Sequence, residues 1–188
     1  RNTGSENTAV GAYSLQDMTS AAQNTTLGYA AAKEMTTGSY NTFLGAFVAA
    51  ENAVTGTRNT IVGFSAGYGL EAGAYNVYVG QESGYETDDG QANTGVGFGA
   101  LYYNRGNNGG TAVGYRSQYH HNNTNATDWN YNTSLGAYAL EGSTSPGSNT
   151  GQYSTAVGSY ALRLFSSGTH NTATGSFAMN QTTSGSYN

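Results

Sequence analysis

Polar and hydrophobic positions follow one another in a five-residue unit, Asn-Thr-x-(Val/Leu)-Gly, that recurs along the whole chain. Most successive copies start 17 residues apart, but one spacing is 18 and two are 22. The motif predicts a short strand and then a sharp turn at its glycine. The aromatic and Ala-Leu that follow predict a second short strand, after which polar residues return the chain to the next copy. The ten copies start at Asn7, Asn24, Asn41, Asn59, Asn76, Asn93, Gly110, Asn132, Ser154 and Asn171.

The regular spacing predicts an all-β fold, a parallel β-roll or β-solenoid of about ten 17-residue coils. Equivalent residues of stacked coils would lie about 4.8 Å apart, so the Asn residues would form a ladder of hydrogen-bonded amides. The Thr residues would form a second column beside them. An ice-binding solenoid is an alternative, although such a surface needs two aligned Thr columns and the repeat shows one.

The second half of each coil is polar, so a single stack of coils would bury only a thin core. Val or Leu shares one strand face with Thr, and the x position points the opposite way. We assign the Val/Leu face to the inside of the chain and the x face to sister chains, in an intertwined or side-by-side homotrimer. The bulky x residues Phe43, Ile61 and Tyr78 are the expected trimer interface.

The composition narrows the class of protein further. The chain has 28 Gly and 16 Tyr but only 9% charged residues, which argues against disorder. A net charge of -5 with scattered basic residues argues against nucleic-acid binding. No apolar run approaches the roughly 20 residues of a membrane span, so we expect no direct membrane insertion. Because the repeat is already under way at residue 1 and unfinished at residue 188, we expect a single repeat domain, 1–188, from a longer chain.

The repeat resembles two families of trimeric proteins. The phrases at 37–42 and 154–162, Thr-Gly-Ser-Tyr-Asn-Thr and Ser-Thr-Ala-Val-Gly-Ser-Tyr-Ala-Leu, are similar to repeat regions of phage and viral tail fibres. The x-x-(Val/Leu/Ile)-Gly pattern resembles the heads of trimeric autotransporter adhesins, which are left-handed parallel β-rolls. The resemblance implies a structural or adhesive segment of an extracellular homotrimeric fibre, on a virion or a bacterial surface, that mediates or presents attachment to a host glycan or receptor.

Residues for catalysis are scarce, and we expect no enzyme. A glycosidase needs two carboxylates across a cleft. Glu82, Glu86, Asp88 and Asp89 crowd one coil, so a glycan-degrading spike is an alternative function that depends on the Gly80–Gly90 stretch. Solvated turn residues are the simpler explanation for them.

A column of carboxylates is the candidate cation site. Asp17, Glu34 and Glu51 each lie ten residues after a motif start in consecutive coils, where stacking would bring like charges close together. Oxygen-rich columns suit calcium, and a bound ion would relieve the repulsion. Solvated carboxylates without a cofactor are the alternative.

The two 22-residue spacings predict loop insertions near 115–131 and 141–150. Loops on a rigid scaffold often carry function. The first insertion contains the only Trp and two of the three His residues, together with amides. Aromatic faces and directed polar groups suit sugar recognition, so we predict a receptor or glycan site here. Its residues are Tyr119, His120, His121, Asp128, Trp129 and Tyr131.

Overall fold

A computed structural model describes residues 3–120, 129–144 and 149–188, and it confirms the all-β solenoid. Ten parallel strands form one sheet in chain order, and the solenoid makes about 9 turns. Each strand is the three-residue segment after a motif start. The second strand predicted for each coil is wrong, because the described residues after the motif glycine form turns in which several residues have positive φ. The strands are β1 Thr8–Val10, β2 Thr25–Leu27, β3 Thr42–Leu44, β4 Thr60–Val62, β5 Val77–Val79, β6 Thr94–Val96, β7 Thr111–Val113, β8 Thr133–Leu135, β9 Thr155–Val157 and β10 Thr172–Thr174.

The strand register is the same at every step. Thr25 pairs with Thr8 on one side and with Thr42 on the other. The longer spacing between β7 and β8 keeps this register, since Thr111 still pairs with Thr133. Parts of the two predicted insertions, 121–128 and 145–148, lie outside the described residues. The insertions do lie side by side, because the Asn149 amide nitrogen is 2.6 Å from the backbone oxygen of His120.

The motif asparagines join each coil to the next. Asn59 is 1% exposed, and its Oδ1 accepts a hydrogen bond from the backbone N–H of Asn76 at 2.9 Å. Its Nδ2 donates to the backbone oxygen of Gly73, also at 2.9 Å. One side chain therefore holds two backbone groups of the next coil, one on either side of the corner that leads into the strand. We call this arrangement the Asn clamp. The residue three before Asn76 is a glycine because a Cβ atom at Gly73 would lie 2.6 Å from the backbone oxygen of Gly90.

The glycine that ends each motif is required by the close stacking of the coils. Gly45 has φ +138, a conformation that side chains disfavour, and a Cβ atom there would lie 2.3 Å from the backbone oxygen of Gly63. The same contact recurs at the motif glycines of neighbouring coils, for example 2.4 Å from a Cβ at Gly63 to the oxygen of Gly80. Only glycine allows the backbone of successive coils to turn in register here.

The structure reverses the predicted assignment of the strand faces. Phe43, Ile61 and Tyr78 are 0% exposed within the single chain, so they form its core and not a surface available to sister chains. Val and Leu of the motif point outward instead, as Leu27 shows at 47% exposure. The reason is the Asn clamp: the motif Asn must point inward, and strand alternation then places x inside and Thr and Val outside.

The buried interior consists of two apolar clusters. The larger one contains Met35, Phe43, Ile61 and Leu101, and the smaller one is centred on Phe165. Between them, Gln118 donates from Nε2 to the backbone oxygen of Thr111 at 2.8 Å and to the Ser134 hydroxyl at 3.0 Å. A polar layer therefore crosses the core at the coils that carry the insertions.

One buried polar group in the larger cluster is incompletely satisfied. The Tyr78 hydroxyl faces Thr87, Asn93 and Asn104, but none of these contacts has hydrogen-bond geometry. Burial raises the pKa of Tyr78 to about 12, and these polar neighbours offset part of the rise. Its ring nevertheless fills the space over Gly84 and Gly95, which lack side chains.

We expect Asn59→Ala to lower the free energy of unfolding by about 3 kcal/mol, because the Asn76 N–H and the Gly73 carbonyl lose their partner inside the protein. The matched control is Thr55→Ala, at an exposed position of the preceding return segment, away from the Thr/Val strand positions. Urea denaturation followed by circular dichroism measures both. Equal midpoints for the two variants would contradict the Asn clamp as a source of stability.

Candidate functional site

The outer surface of the sheet is flat and carries two parallel columns, which we call the Thr/Val face. One column holds the first residue of each strand, a Thr in every strand except β5, where it is Val77. The other holds the third residue, which is Val or Leu except for Thr174 in β10. Val10, Leu27 and Leu135 are 53%, 47% and 50% exposed. An apolar stripe therefore runs from end to end of the described solenoid.

Aromatic rings line the edge of this face where the chain leaves each strand, and we call them the exit column. Its rings pack edge to face in the first coils, as Tyr13 and Tyr29 do at 5.5 Å, and stacked in the last, as Tyr160 and Phe177 do at 4.9 Å. Phe64 and Phe177 are more than half exposed. The members are Tyr13, Tyr29, Phe47, Phe64, Phe98, Tyr115, Tyr138, Tyr160 and Phe177.

A second column lines the edge where the chain enters each strand, and we call it the entry column. It consists of the residue before each motif start, and its non-glycine members have positive φ, such as +61 at Tyr75. Unlike the exit column, it includes charged and polar side chains. The members are Glu6, Gln23, Tyr40, Arg58, Tyr75, Ala92, Gly109, Tyr131, Tyr153, His170 and Tyr187.

The predicted receptor residues divide between two columns. Trp129 stacks on Tyr131 in the entry column, with ring centroids 5.4 Å apart. Tyr119 and His120 belong instead to a half-buried tyrosine stack that begins at Tyr68. Burial lowers the pKa of His120, against the opposing effect of Glu141. The described residues show no ring contact between the two pairs, and His121 and Asp128 lie outside the described residues, so the receptor site stays a prediction.

The carboxylate column does not form a calcium site. Glu34 pairs with Lys33 at 2.6 Å, and this hydrogen bond holds the pKa of Glu34 below its usual value. Within residues 3–120, 129–144 and 149–188, no three carboxylate or imidazole side chains converge on a point that would hold a metal ion. Asp17 lies beside Glu34 and contributes to lowering its pKa, but Asp17, Glu34 and Glu51 do not converge as a set of three, and Lys33 already neutralises Glu34.

Two carboxylates of the Gly80–Gly90 stretch, Glu86 and Asp88, line a shallow cavity of about 350 Å³ together with Glu51; Glu82 and Asp89 are not part of its lining. Gly69 opens it, because it has no side chain at the position between Glu51 and Glu86. Arg105 Nε donates to Glu86 at 2.9 Å, so this carboxylate is held in an ion pair. Burial raises the pKa of Asp88; Arg105 opposes the rise and neighbouring carboxylates add to it. Neither Gly69 nor Arg105 was singled out from the sequence, where no motif marks them.

Comparison with known proteins finds no matching family model, no matching curated protein and no matching solved structure. The part of the chain that the structure describes contains no helix of the length and apolarity that crossing a membrane requires. The resemblance to fibre and adhesin repeats therefore contributes to a proposal and not to a family assignment.

We expect Asp88→Asn to raise the denaturation midpoint at pH 7. The folded state raises the pKa of this carboxyl above its ordinary 3.8, so the folded state holds its proton more tightly. The free energy of unfolding therefore falls as the pH rises from 3.8 through the higher pKa of the folded state, and this fall is complete at neutral pH. The asparagine removes this cost, and the gain should vanish below pH 3.8. Asp89→Asn, at an exposed neighbour, is the control; a gain that persists at low pH would contradict the titration of Asp88 as its cause.

Proposed function

We propose that this chain is a structural and adhesive segment of an extracellular homotrimeric fibre, a tail fibre or an adhesin head, that presents or mediates attachment to a host surface. The observation that supports the proposal most is the Thr/Val face, an apolar stripe along the solenoid that the described residues of the single chain leave exposed. The number of chains and the extracellular setting come from the resemblance of the repeats to trimeric fibres.

The exposed area is large enough for a stable assembly. The Val/Leu column and the exit column together present on the order of 1,000 Å² of apolar and aromatic surface, against a few hundred Å² on a typical monomer. A standard interface buries about 800 Å² per partner. Sister chains packed in parallel would cover this surface while the coils of each chain stay in register.

The two edges of the Thr/Val face differ in chemistry, which indicates how the chains meet. The exit column is built from Tyr and Phe, whereas the entry column includes Glu6, Arg58 and His170. Charged residues are depleted in the core of interfaces and common at the rim. We therefore place the Thr/Val face and the exit column in the interface and the entry column at its solvent-exposed rim.

Sedimentation velocity tests the assembly. We expect the wild-type chain to sediment as an elongated trimer, and Leu135→Asp to sediment as a folded monomer, because three charges would be buried together without partners. Thr19→Asp adds the same charge on an exposed part of the return segment and should remain trimeric. Ile61→Asp should instead fail to fold, because Ile61 lies in the chain's own core. A compact wild-type monomer would contradict the proposal.

Ice binding is a second candidate that the same face supports. The Thr column repeats a hydroxyl about every 4.8 Å on a flat surface, which suits ordered water. Val77 interrupts this column, and only β10 has Thr at both outward positions. If the face binds ice, the protein should show thermal hysteresis that Thr94→Lys abolishes, measured by nanolitre osmometry. Freezing behaviour equal to that of albumin at the same concentration would exclude this function.

A further inference from the structure

The entry column is continuous on both sides of a single gap. On one side, the Arg58 guanidinium lies between the rings of Tyr40 and Tyr75, 5.0 and 5.5 Å from their centroids. On the other side, five rings are stacked in sequence, with successive centroids 4.9–5.4 Å apart. They are Trp129, Tyr131, Tyr153, His170 and Tyr187.

The indole ring of Trp129 lies in the layer of the entry column to which Gly109 belongs. A Cβ atom built on Gly109 would lie 3.1 Å from the six-membered part of the Trp129 ring. Tyr131 stacks with Trp129 and with Tyr153, so Trp129 closes the end of this ring stack. The indole therefore supplies the ring that the glycine lacks.

In the entry column, the layer between Tyr75 and Trp129 is that of Ala92, an exposed residue whose side chain ends at Cβ. The order of the layers is fixed by backbone hydrogen bonds: Ala92 N–H donates to the oxygen of Ala74, and Gly109 N–H donates to the oxygen of Gln91. The two ring layers on either side of Ala92 are thus two coil steps, about 10 Å, apart. Midway between them, an added ring would be about 5 Å from each, the spacing that the column itself shows.

We propose that this gap, which we call the Ala92 slot, binds one pyranose ring of a β-linked, gluco-configured glycan such as a glucoside or an N-acetylglucosaminide. The rings of Tyr75 and Trp129 form its two walls, and Ala92 forms its floor. Gln91, exposed beside Ala92, places an amide at the rim for hydroxyl groups. The inference rests on the proposed function, whose glycan-binding site it identifies.

The configuration of the sugar follows from having an aromatic wall on each side. An aromatic face carries negative charge density and attracts C–H groups. In a β-gluco ring every hydroxyl lies near the ring plane, so both faces present C–H groups to the walls. An axial hydroxyl, as at C4 of a galactoside or C2 of a mannoside, would point at one wall and lose its hydrogen bonds with water.

Trp129 is the only tryptophan in the chain, so its fluorescence reports on the slot directly. We expect methyl β-glucopyranoside to shift the emission of the wild-type protein with millimolar affinity, and the galactoside and mannoside to bind at least ten times more weakly. Ala92→Tyr should abolish binding, because Tyr is already accommodated in this column at Tyr75 with φ +61 and would fill the gap. Ala92→Gly leaves the slot open and should bind as the wild type does.

Ligand-observed saturation-transfer NMR applies the same test to Trp129→Ala, which removes one wall and should also abolish binding. Tyr187→Ala, which removes an exposed ring at the far end of the same stack, is its control and should retain binding. The slot is refuted if no glucoside binds, if Ala92→Tyr binds as well as the wild type, or if the galactoside binds equally. Binding of an aromatic probe such as p-cresol without binding of the glucoside also refutes it.

The slot and the fibre proposal fail in different ways. Ala92→Tyr should leave the sedimentation of the assembly unchanged, so a trimer that binds no sugar contradicts only the slot. A monomeric wild-type chain that binds the glucoside contradicts only the fibre. If sugar binds to the Leu135→Asp monomer but not to the wild-type trimer, the assembly covers the slot, and its role in attachment is refuted.

Discussion

The hydrogen bonds that run along the solenoid axis are the constraint on which the rest of this structure depends. Each Asn clamp holds two backbone groups of the next coil, so a motif Asn must point into the solenoid at every turn. Where Gly110 replaces Asn, its backbone N–H still bonds to Asn93 at 2.9 Å, and Asn130 supplies the acceptor for Asn132 in the following coil. The interior can therefore be narrow and rich in alanine, because stability comes from a repeated polar contact as much as from apolar burial.

The corners of the coils carry a conformational cost that the ring columns offset. In the coil that starts at Asn41, Phe47, Ala49 and Arg58 all have positive φ. A left-handed residue other than glycine costs about 1–2 kcal/mol. A favourable aromatic pair contributes about 0.5–1.5 kcal/mol, which is of similar size. Rings at one or both corners of most coils thus stabilise the fold, and their exposure to solvent at the edges of the Thr/Val face follows from that placement.

The sequence was sufficient to predict the solenoid, the motif strand in each copy and the glycine turns, because each depends on a local pattern repeated in register. The orientation of the strands was predicted wrongly, since greater hydrophobicity was taken to mark the inside. The ladder of Asn residues carried the correct signal: once Asn41 points inward, Phe43 must do so too. The calcium site failed for a different reason, because spacing along the chain does not fix where the flexible side chains of Asp17, Glu34 and Glu51 meet.

The candidate binding site shows why departures from a repeat are informative in a solenoid. A residue that follows the pattern is accounted for by stacking, so its chemistry alone says little about function. Ala92 and Gly109 are the two members of the entry column that lack a long side chain. Trp129, which belongs to an insertion, covers Gly109 and leaves Ala92 uncovered. If the insertion served merely to complete the column, filling both layers would stabilise it further. A ring-shaped ligand requires an open layer next to a ring, and the uncovered layer of Ala92 beside the covered layer of Gly109 has this arrangement.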